Sequence, residues 1–330
     1  MAGAPHAPHR TLFFSPGFGR RGFTVVEILV CVLILGVLFA VALSATQAAR
    51  AAARRIQCVA NLRQIGIALN SYHSKHNMFP SSQWATKTGW TLNCLSEHAQ
   101  LLADLEFISL YNSINMCYAN SESAAIPALE NRTARQTRVD LFVCPADGAI
   151  GSLNSYRFNR GRFGVGKGNH PFDGPFSIGV QPSHATVTDG LQNTAFVSER
   201  FGGSFNAAFG DPFRDVKVPS RPPPFIVGSD QDFIPYCLGS DDYFYFPGSG
   251  KYWLYTGFSF TSYNHNGRPN DPRPSCGLGS LADRDLGLHP PRSHHPGGVN
   301  VLYGDGHSGL VLDGVSPAVW SSIGTYGSSD

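Results

Sequence analysis

The sequence predicts an α+β protein in which one long N-terminal α-helix packs on an antiparallel β-sheet with long loops. No residue from Ile28 to Ala49 is charged, and most are Ile, Leu, Val, Phe or Ala. An apolar stripe of helical period then continues as far as Tyr72. The remainder holds short strand-like segments, and its 36 Gly, 23 Pro and 15% charged residues are typical of a loop-rich exported domain rather than a helical bundle.

The apolar run is long enough to cross a bilayer as a helix, which takes about 20 residues. Glu27 stands at its start, inside the hydrocarbon boundary, where an unpaired carboxylate costs roughly a few kcal/mol. Residues 23–49 are therefore predicted to be a transmembrane helix, and the acidic residue is predicted to have a specific partner.

The residues before this run read Arg20-Arg-Gly-Phe-Thr-Val-Val-Glu27. They resemble the processing site of type IV prepilins and type II secretion pseudopilins, in which a membrane peptidase cuts after a glycine and methylates the new N-terminal phenylalanine. The resemblance implies that Gly22 ends a leader of residues 1–22 and that Phe23 begins the mature chain. It also implies that Glu27 pairs with the α-amino group of a neighbouring subunit, so that both charges are compensated only after assembly.

The N-terminal end also fits three other interpretations. A secretory signal peptide with a cleavage site at Ala40-Val41-Ala42 has the same basic start and apolar run. A twin-arginine signal at Arg20-Arg21 and a plain signal anchor are the other two. Basic residues do not orient an anchor here, because the run is flanked equally by Arg10, Arg20 and Arg21 and by Arg50, Arg54 and Arg55. None of the three explains Glu27.

The apolar stripe beyond the membrane predicts an amphipathic continuation of the helix over residues 50–78, giving one helix from Phe23 to Ser71. Its members recur every three or four residues: Ile56, Val59, Leu62, Ile65, Leu69 and Tyr72. This face is expected to pack on the exported head.

Residues 79–330 are predicted to form that globular head. A second, shorter amphipathic helix is expected over Leu92–Ile114. Strands are expected at Val139–Val143, Ala195–Val197, Val299–Tyr303 and Leu310–Leu312, with a C-terminal hairpin over residues 295–313 that turns at Gly304–His307. Residues 202–291, rich in Gly, Pro and aromatic residues, are predicted to be loops, with extended structure only within Asp241–Thr256.

Cysteine usage favours export. Cys31 lies in the apolar run, and the remaining six form an even set that is able to close three disulfides in 15 arrangements: Cys58, Cys94, Cys117, Cys144, Cys237 and Cys276. None belongs to a Cys-x-x-Cys pair, so the sequence gives little support to a zinc site built on paired thiolates.

Potential metal ligands are densest near the C-terminus. A hairpin is able to bring His295, Asp305 and His307 towards one ion, since imidazole and carboxylate suit zinc, manganese or iron. The same residues also fit an ordinary loop and an Asp-Gly turn. A transition metal or calcium is thus left open, and no other cofactor is expected.

A second resemblance covers most of the chain. Its landmarks are Gln47–Cys58, Asn61–His73, Phe142–Asp147, Thr188–Thr194 with Glu199, and His295 followed after nine residues by Asp305-Gly306. They resemble a large bacterial family of prepilin-like proteins whose head domain has no established activity. The two resemblances together imply a type IV pilin-like fold.

The expected function is structural. We predict a pilin or pseudopilin subunit, anchored by one span in the bacterial inner membrane with a periplasmic head, whose partners are prepilin peptidase and other subunits. No catalytic residue is assigned, because neither a Gly-x-Ser-x-Gly elbow nor a His-Glu-x-x-His helix is present. A net charge of +2 without a basic stripe argues against nucleic-acid binding. The alternatives are a membrane-tethered adhesin or carbohydrate receptor that binds through residues 202–291, and an anchored metal-dependent enzyme.

Overall fold

The computed structural model describes residues 22–81, 85–86, 89–90, 95–116, 131–148, 151, 153–162, 173–177, 180–206, 208–221, 230–277 and 287–327. The chain divides after Arg50 into two compact units. The helices are α1 Val25–His76, α2 Glu97–Leu101, α3 Ile108–Asn112, α4 Arg132–Gln136, α5 Asp230–Gly239 and α6 Pro317–Ser322. The strands are β1 Ala85–Thr86, β2 Gly89–Trp90, β3 Tyr156–Asn159, β4 Ala195–Glu199, β5 Val216–Pro219, β6 Tyr243–Phe246, β7 Ser262–Tyr263, β8 Ser275–Gly277, β9 Gly287–Leu288, β10 Gly298–Tyr303 and β11 Ser308–Leu312.

Helix α1 confirms the predicted long helix, beginning two residues later and ending at His76 instead of Ser71. In the first unit its apolar side chains are exposed throughout; Phe39, for example, is 66% exposed. Among the described residues, α1 is the one helix long and apolar enough to cross a membrane, and its most apolar stretch buries nothing within the protein. This stretch is therefore not a core helix of a water-soluble domain.

In the second unit, α1 forms part of the main core. Leu62, Ile65 and Leu69 are fully buried against sheet residues that include Phe158, Phe196 and Leu302. The predicted packing of the stripe on the sheet is thereby confirmed. Ile56 departs from the prediction, because it is 71% exposed and Cys58 takes the buried position instead.

The central sheet has five strands in the order β11-β10-β4-β3-β7. The predicted strands at Ala195, Val299 and Leu310 correspond to β4, β10 and β11, and the last two form the predicted hairpin. The sheet is mixed rather than wholly antiparallel, because β7 pairs with β3 in parallel. A parallel partner needs a long crossover, and the chain between β3 and β7 contains β4, β5, α5 and β6.

Two predicted elements are wrong in type or extent. Residues Val139–Val143 contain a short 3-10 helix, Asp140–Phe142, instead of a strand. Val139 and Phe142, three residues apart, are both buried and Asp140 is exposed, which does not match the alternation of a strand. The single helix predicted from Leu92 is replaced by α2 and α3, because Glu106 between them adopts a positive φ of 66° that no α-helix contains.

The region predicted as loops, residues 202–291, is more ordered than expected. It supplies a second sheet in the order β6-β5-β8-β9, whose middle pair is parallel, and helix α5, which packs on it. Strand β6 lies within the predicted extended segment. Sequence reasoning missed the other strands because strands of two to four residues are too short to show a hydrophobic period. It missed α5 because this helix contains Pro235, a residue that is atypical of a helix interior.

The turn between β10 and β11 packs closely on α1. Gly306 in this turn has a φ of +94°, which favours glycine. A Cβ atom on Gly66 of α1 would lie 2.8 Å from Leu302 Cδ1 and 3.2 Å from the Cα of Gly306. The Asp305-Gly306 landmark thus serves a close approach between hairpin and helix.

We therefore expect Gly66→Val to destabilise the head by about 1–3 kcal/mol, the usual cost of overpacking. Ile67→Val is the matched control, because it places valine at the next position, where the side chain is 69% exposed. Urea unfolding of the full chain in detergent measures both variants. Equal unfolding free energies for the two would contradict the close approach.

Candidate functional site

The predicted processing segment lies at the start of α1. Gly22 and Phe23 are exposed and precede the helix. A Cβ on Gly22 would meet nothing within 4 Å, so the fold itself does not require glycine there. The predicted requirement for glycine at this position comes from the peptidase.

Glu27 forms a reciprocal pair with Thr24. The Glu27 carboxylate accepts hydrogen bonds from the Thr24 backbone N–H at 2.8 Å and hydroxyl at 3.0 Å, and the Glu27 N–H donates to the Thr24 hydroxyl at 3.3 Å. This arrangement is a capping box, which satisfies amides that α1 leaves free at its N-terminus. The Thr-x-x-Glu spacing in the sequence is the usual signal of a capping box, and the sequence analysis did not identify it. Glu27 thus has a local structural role beside its predicted role in assembly.

A second candidate site lies in the interior of the head, where four landmarks of the second resemblance converge. A disulfide joins Cys58 of α1 to Cys144, which follows the 3-10 helix. His295 Nε2 lies 3.7 Å from Cys144 Sγ and 3.2 Å from Glu199 Oε1. We call these four residues the Cys58 cluster, and all of them are buried.

The Glu199 carboxylate is held in place by Asn300. The backbone N–H and the side-chain amide of Asn300 each donate a hydrogen bond of 3.0 Å, one to each carboxylate oxygen. Burial, and secondarily the Glu199 charge, raises the pKa of Tyr156 well above its usual value. The neutral Tyr156 hydroxyl accepts a hydrogen bond of 3.3 Å from Asn61 on α1.

A polar group around Asp147 adjoins the Cys58 cluster. Asp147 accepts hydrogen bonds from Ser155, from the Gly202 N–H and from Arg214, each within 2.9 Å. Arg214 Nη2 also lies 2.7 Å from His294 Nε2. Burial, followed by the charge of Arg214, lowers the pKa of His294. The adjacent residues His294 and His295 therefore serve different networks.

The space beside the Cys58 cluster is small. A cavity of about 10 Å³ is lined by Cys144, Asp147, Glu199, Arg200 and Arg292, among other residues. A single water molecule needs about this volume. The cavity does not admit an organic substrate.

The hairpin does not assemble the predicted metal ligands. His295 precedes β10, whereas Asp305 and His307 lie beyond its far end, so the six-residue strand separates them. Asp305 Oδ1 lies 2.6 Å from His307 Nδ1 within the turn. The backbone geometry of a hairpin explains the separation, because the turn holds Asp305 and His307 at one end of β10 and the extended strand places His295 beyond the other end. His295 instead joins residues that are distant in sequence.

The remaining predicted residues are dispersed. Cys237 of α5 and Cys276 of β8 form a second disulfide. Cys31 is an exposed free cysteine on α1. Cys94, Cys117 and residues 1–21 of the predicted leader lie outside the described residues.

Two family profiles match the chain. Residues 18–43 match the profile described as prokaryotic N-terminal methylation motif. Residues 47–317 match the profile described as protein of unknown function (DUF1559). Among curated proteins and solved structures, no significant match was found. The profiles confirm both resemblances that the sequence landmarks carry.

Proposed function

Because the chain belongs to the DUF1559 family of proteins of unknown function and carries a prokaryotic N-terminal methylation motif, we propose that it is a structural subunit of a type IV pilus or type II secretion pseudopilus. The motif makes it a prepilin-like protein that is exported and processed. The assembly role goes a step further and is argued from α1.

The observation that carries the proposal is an exposed apolar helix that begins at an acidic residue. Every described residue from Gly22 to Ala53 is exposed, and the most apolar stretch of α1 has a mean hydropathy of 3.0. Such a surface needs lipid or other apolar helices around it. In a filament, the apolar face from Ile28 to Leu43 packs between subunits, and Glu27 meets the α-amino group that cleavage before Phe23 releases on a neighbour.

Membrane topology follows from the same segment. Prepilin peptidase cuts after Gly22, and α1 then holds the protein in the inner membrane by one span. The head lies on the periplasmic side. Its disulfides, Cys58–Cys144 and Cys237–Cys276, support this orientation, because disulfides persist in oxidising compartments.

A structural role is also favoured over an enzymatic one. Within the described part of the head, the Cys58 cluster is the one group of Cys, His and carboxylate side chains close enough together to hold an ion, and the cavity beside it holds about one water molecule. An active site needs room for its substrate next to its reactive groups.

A second candidate function is that of a membrane-tethered receptor. The specific observation is a set of exposed aromatic side chains on β6 and in the loop before its partner strand β5: Phe209, Phe213, Tyr243 and Phe244. Exposed aromatic residues are typical of binding surfaces. Such a protein would use the prepilin signal for export and stay single in the membrane.

Shearing cells of the native host separates the two functions. We expect the sheared material to contain the protein as a polymer that begins with methylated Phe23, as read by mass spectrometry, and to lack an inner-membrane marker protein. Cross-linking of intact membranes is expected to give a ladder of multimers, which also reports on a short periplasmic pseudopilus. A correctly cleaved protein that remains monomeric in membranes supports the receptor. A chain that begins at Met1 or Leu43 contradicts prepilin processing altogether.

A further inference from the structure

The Cys58 cluster contains a complete set of ligands for a metal ion. One sulfur from each of Cys58 and Cys144, a carboxylate oxygen of Glu199 and an imidazole nitrogen of His295 lie within 4.8 Å of one another. Thiolate, imidazole and carboxylate are the three ligand types that bind Zn²⁺ in proteins. Four such groups make a closed site without a water ligand.

Two distances within the cluster are close to those of a tetrahedral site. An ion with bonds of about 2.0–2.3 Å separates its ligand atoms by about 3.3–3.8 Å. His295 Nε2 lies 3.2 Å from Glu199 Oε1 and 3.7 Å from Cys144 Sγ. The two sulfur atoms are closer than this, because they are covalently bonded, and all four ligand atoms lie within 4.8 Å of one another. Opening the disulfide is therefore the first change that the site requires.

We infer that the reduced form of the Cys58 cluster is a tetrahedral Zn²⁺ site, which excludes the disulfide and is excluded by it. A thiol reductant supplies two electrons and two protons to the disulfide, is itself oxidised to a disulfide, and leaves two cysteine thiols. Zn²⁺ then binds both sulfurs as thiolates, and the two thiol protons are released to solvent.

The surroundings suit an anionic metal centre. Two thiolates, one carboxylate and Zn²⁺ sum to one net negative charge. The guanidinium groups of Arg200 and Arg292, both buried, line the same cavity as Cys144 and Glu199, and nearby opposite charge offsets the cost of burying the site. Asn300 already orients the Glu199 carboxylate through two hydrogen bonds, as outer-shell residues do at metal sites.

Metal and disulfide would hold the same segments together. The disulfide connects α1 only to the residues after the 3-10 helix. The metal adds the end of β4, through Glu199, and the loop before β10, through His295. The reduced chain, before it meets an oxidant, would therefore have a cross-link of its own between α1 and the sheet.

Cobalt titration of the full chain in detergent tests this inference. After reduction with a phosphine and removal of oxygen, we expect one Co²⁺ per chain to give the visible absorption of a tetrahedral thiolate complex, and Zn²⁺ to displace it. X-ray absorption of the zinc form is expected to count two sulfur and two lighter ligands. The oxidised wild-type chain, which has the same sequence and fold, should give no such absorption.

Variants assign the signal to the cluster. His295→Ala is expected to weaken Co²⁺ binding by more than the roughly 10–100-fold that outer-shell changes cause, and Asn300→Ala to weaken it within that range. Two double variants serve as controls, because their changes lie outside the cluster: Cys237→Ser/Cys276→Ser and Asp305→Asn/His307→Gln. Both are expected to bind Co²⁺ as the wild type does.

Two results would overturn the inference. One is the absence of the visible absorption in the reduced wild type, and the other is wild-type affinity for Co²⁺ in His295→Ala. If His295→Ala fails to fold, two measurements on the wild type still test the inference: the ligand count from X-ray absorption, and the difference in Co²⁺ absorption between the reduced and the oxidised chain.

Discussion

A glutamate in place of Gly22 is expected to leave the chain uncleaved, as a precursor that is heavier by the leader and stays in the membrane fraction. The reason is local to the peptidase, which cuts after a residue without a side chain. In the structure, a Cβ at this position meets no atom within 4 Å. The folded head should therefore be unaffected, and immunoblots of membranes should show precursor and no mature protein.

The controls for Gly22→Glu separate its size from its charge. Gly22→Ala adds only a methyl group and is expected to slow cleavage without blocking it. Gly19→Glu introduces the same charge three residues earlier in the predicted leader and is expected to be cleaved normally. Normal processing of Gly22→Glu would show that the cut lies elsewhere, for example after Ala42 as in a secretory signal peptide.

The sequence predicted the N-terminal part of the fold well because the information there is local. A run without charges and a stripe of period 3.6 depend only on neighbouring residues, and together they define α1 to within a few residues. The signal for the capping role of Glu27 is equally local, but the sequence analysis did not predict that role. The same glutamate belongs both to the Thr-x-x-Glu signal of a helix start and to an apolar segment in which any charge is unusual.

The head was predicted less well because its organisation depends on contacts between distant residues. Cys58 and Cys144 are 86 positions apart, and no local pattern indicates that they meet beside Glu199 and His295. The predicted metal site combined His295 with Asp305 because these residues are close in sequence. Strand β10 separates them: His295, before the strand, lies within 4.8 Å of the Cys58 sulfur of α1, and the turn after the strand lies against Gly66 of α1.

The spacing between His295 and Asp305 therefore has a structural explanation. A strand of six residues must connect a residue of the buried cluster to a turn that packs on α1. A change in that spacing would move one end out of position, because each residue of a strand adds about 3.3 Å. The spacing from His295 to Asp305-Gly306 therefore reflects how the central sheet is attached to α1, and this holds with or without a metal in the Cys58 cluster.

Replacement of Glu27 by glutamine is expected to leave cleavage intact and to abolish assembly. Glutamine retains a carbonyl oxygen that can accept the Thr24 hydrogen bonds, and it is as suitable as glutamate in a capping box. What it removes is the negative charge. A neighbour's α-amino group, buried in the filament without that charge, would cost about 3–5 kcal/mol. Incorporation of subunits should then fall by a factor of about 150 or more, measured as sheared polymer per cell.

Two further variants separate the helix cap from the charge. Thr24→Val removes the hydroxyl of the capping box but keeps the carboxylate, and it is expected to assemble with little loss, since a cap contributes about 1 kcal/mol. Glu27→Ala removes the carboxylate's half of the cap together with the charge and should fail as Glu27→Gln does. If Glu27→Gln assembles normally and Glu27→Ala does not, the residue acts only through the helix cap. A buried charge pair between subunits would then be unnecessary, and the apolar face of α1 alone would have to drive association.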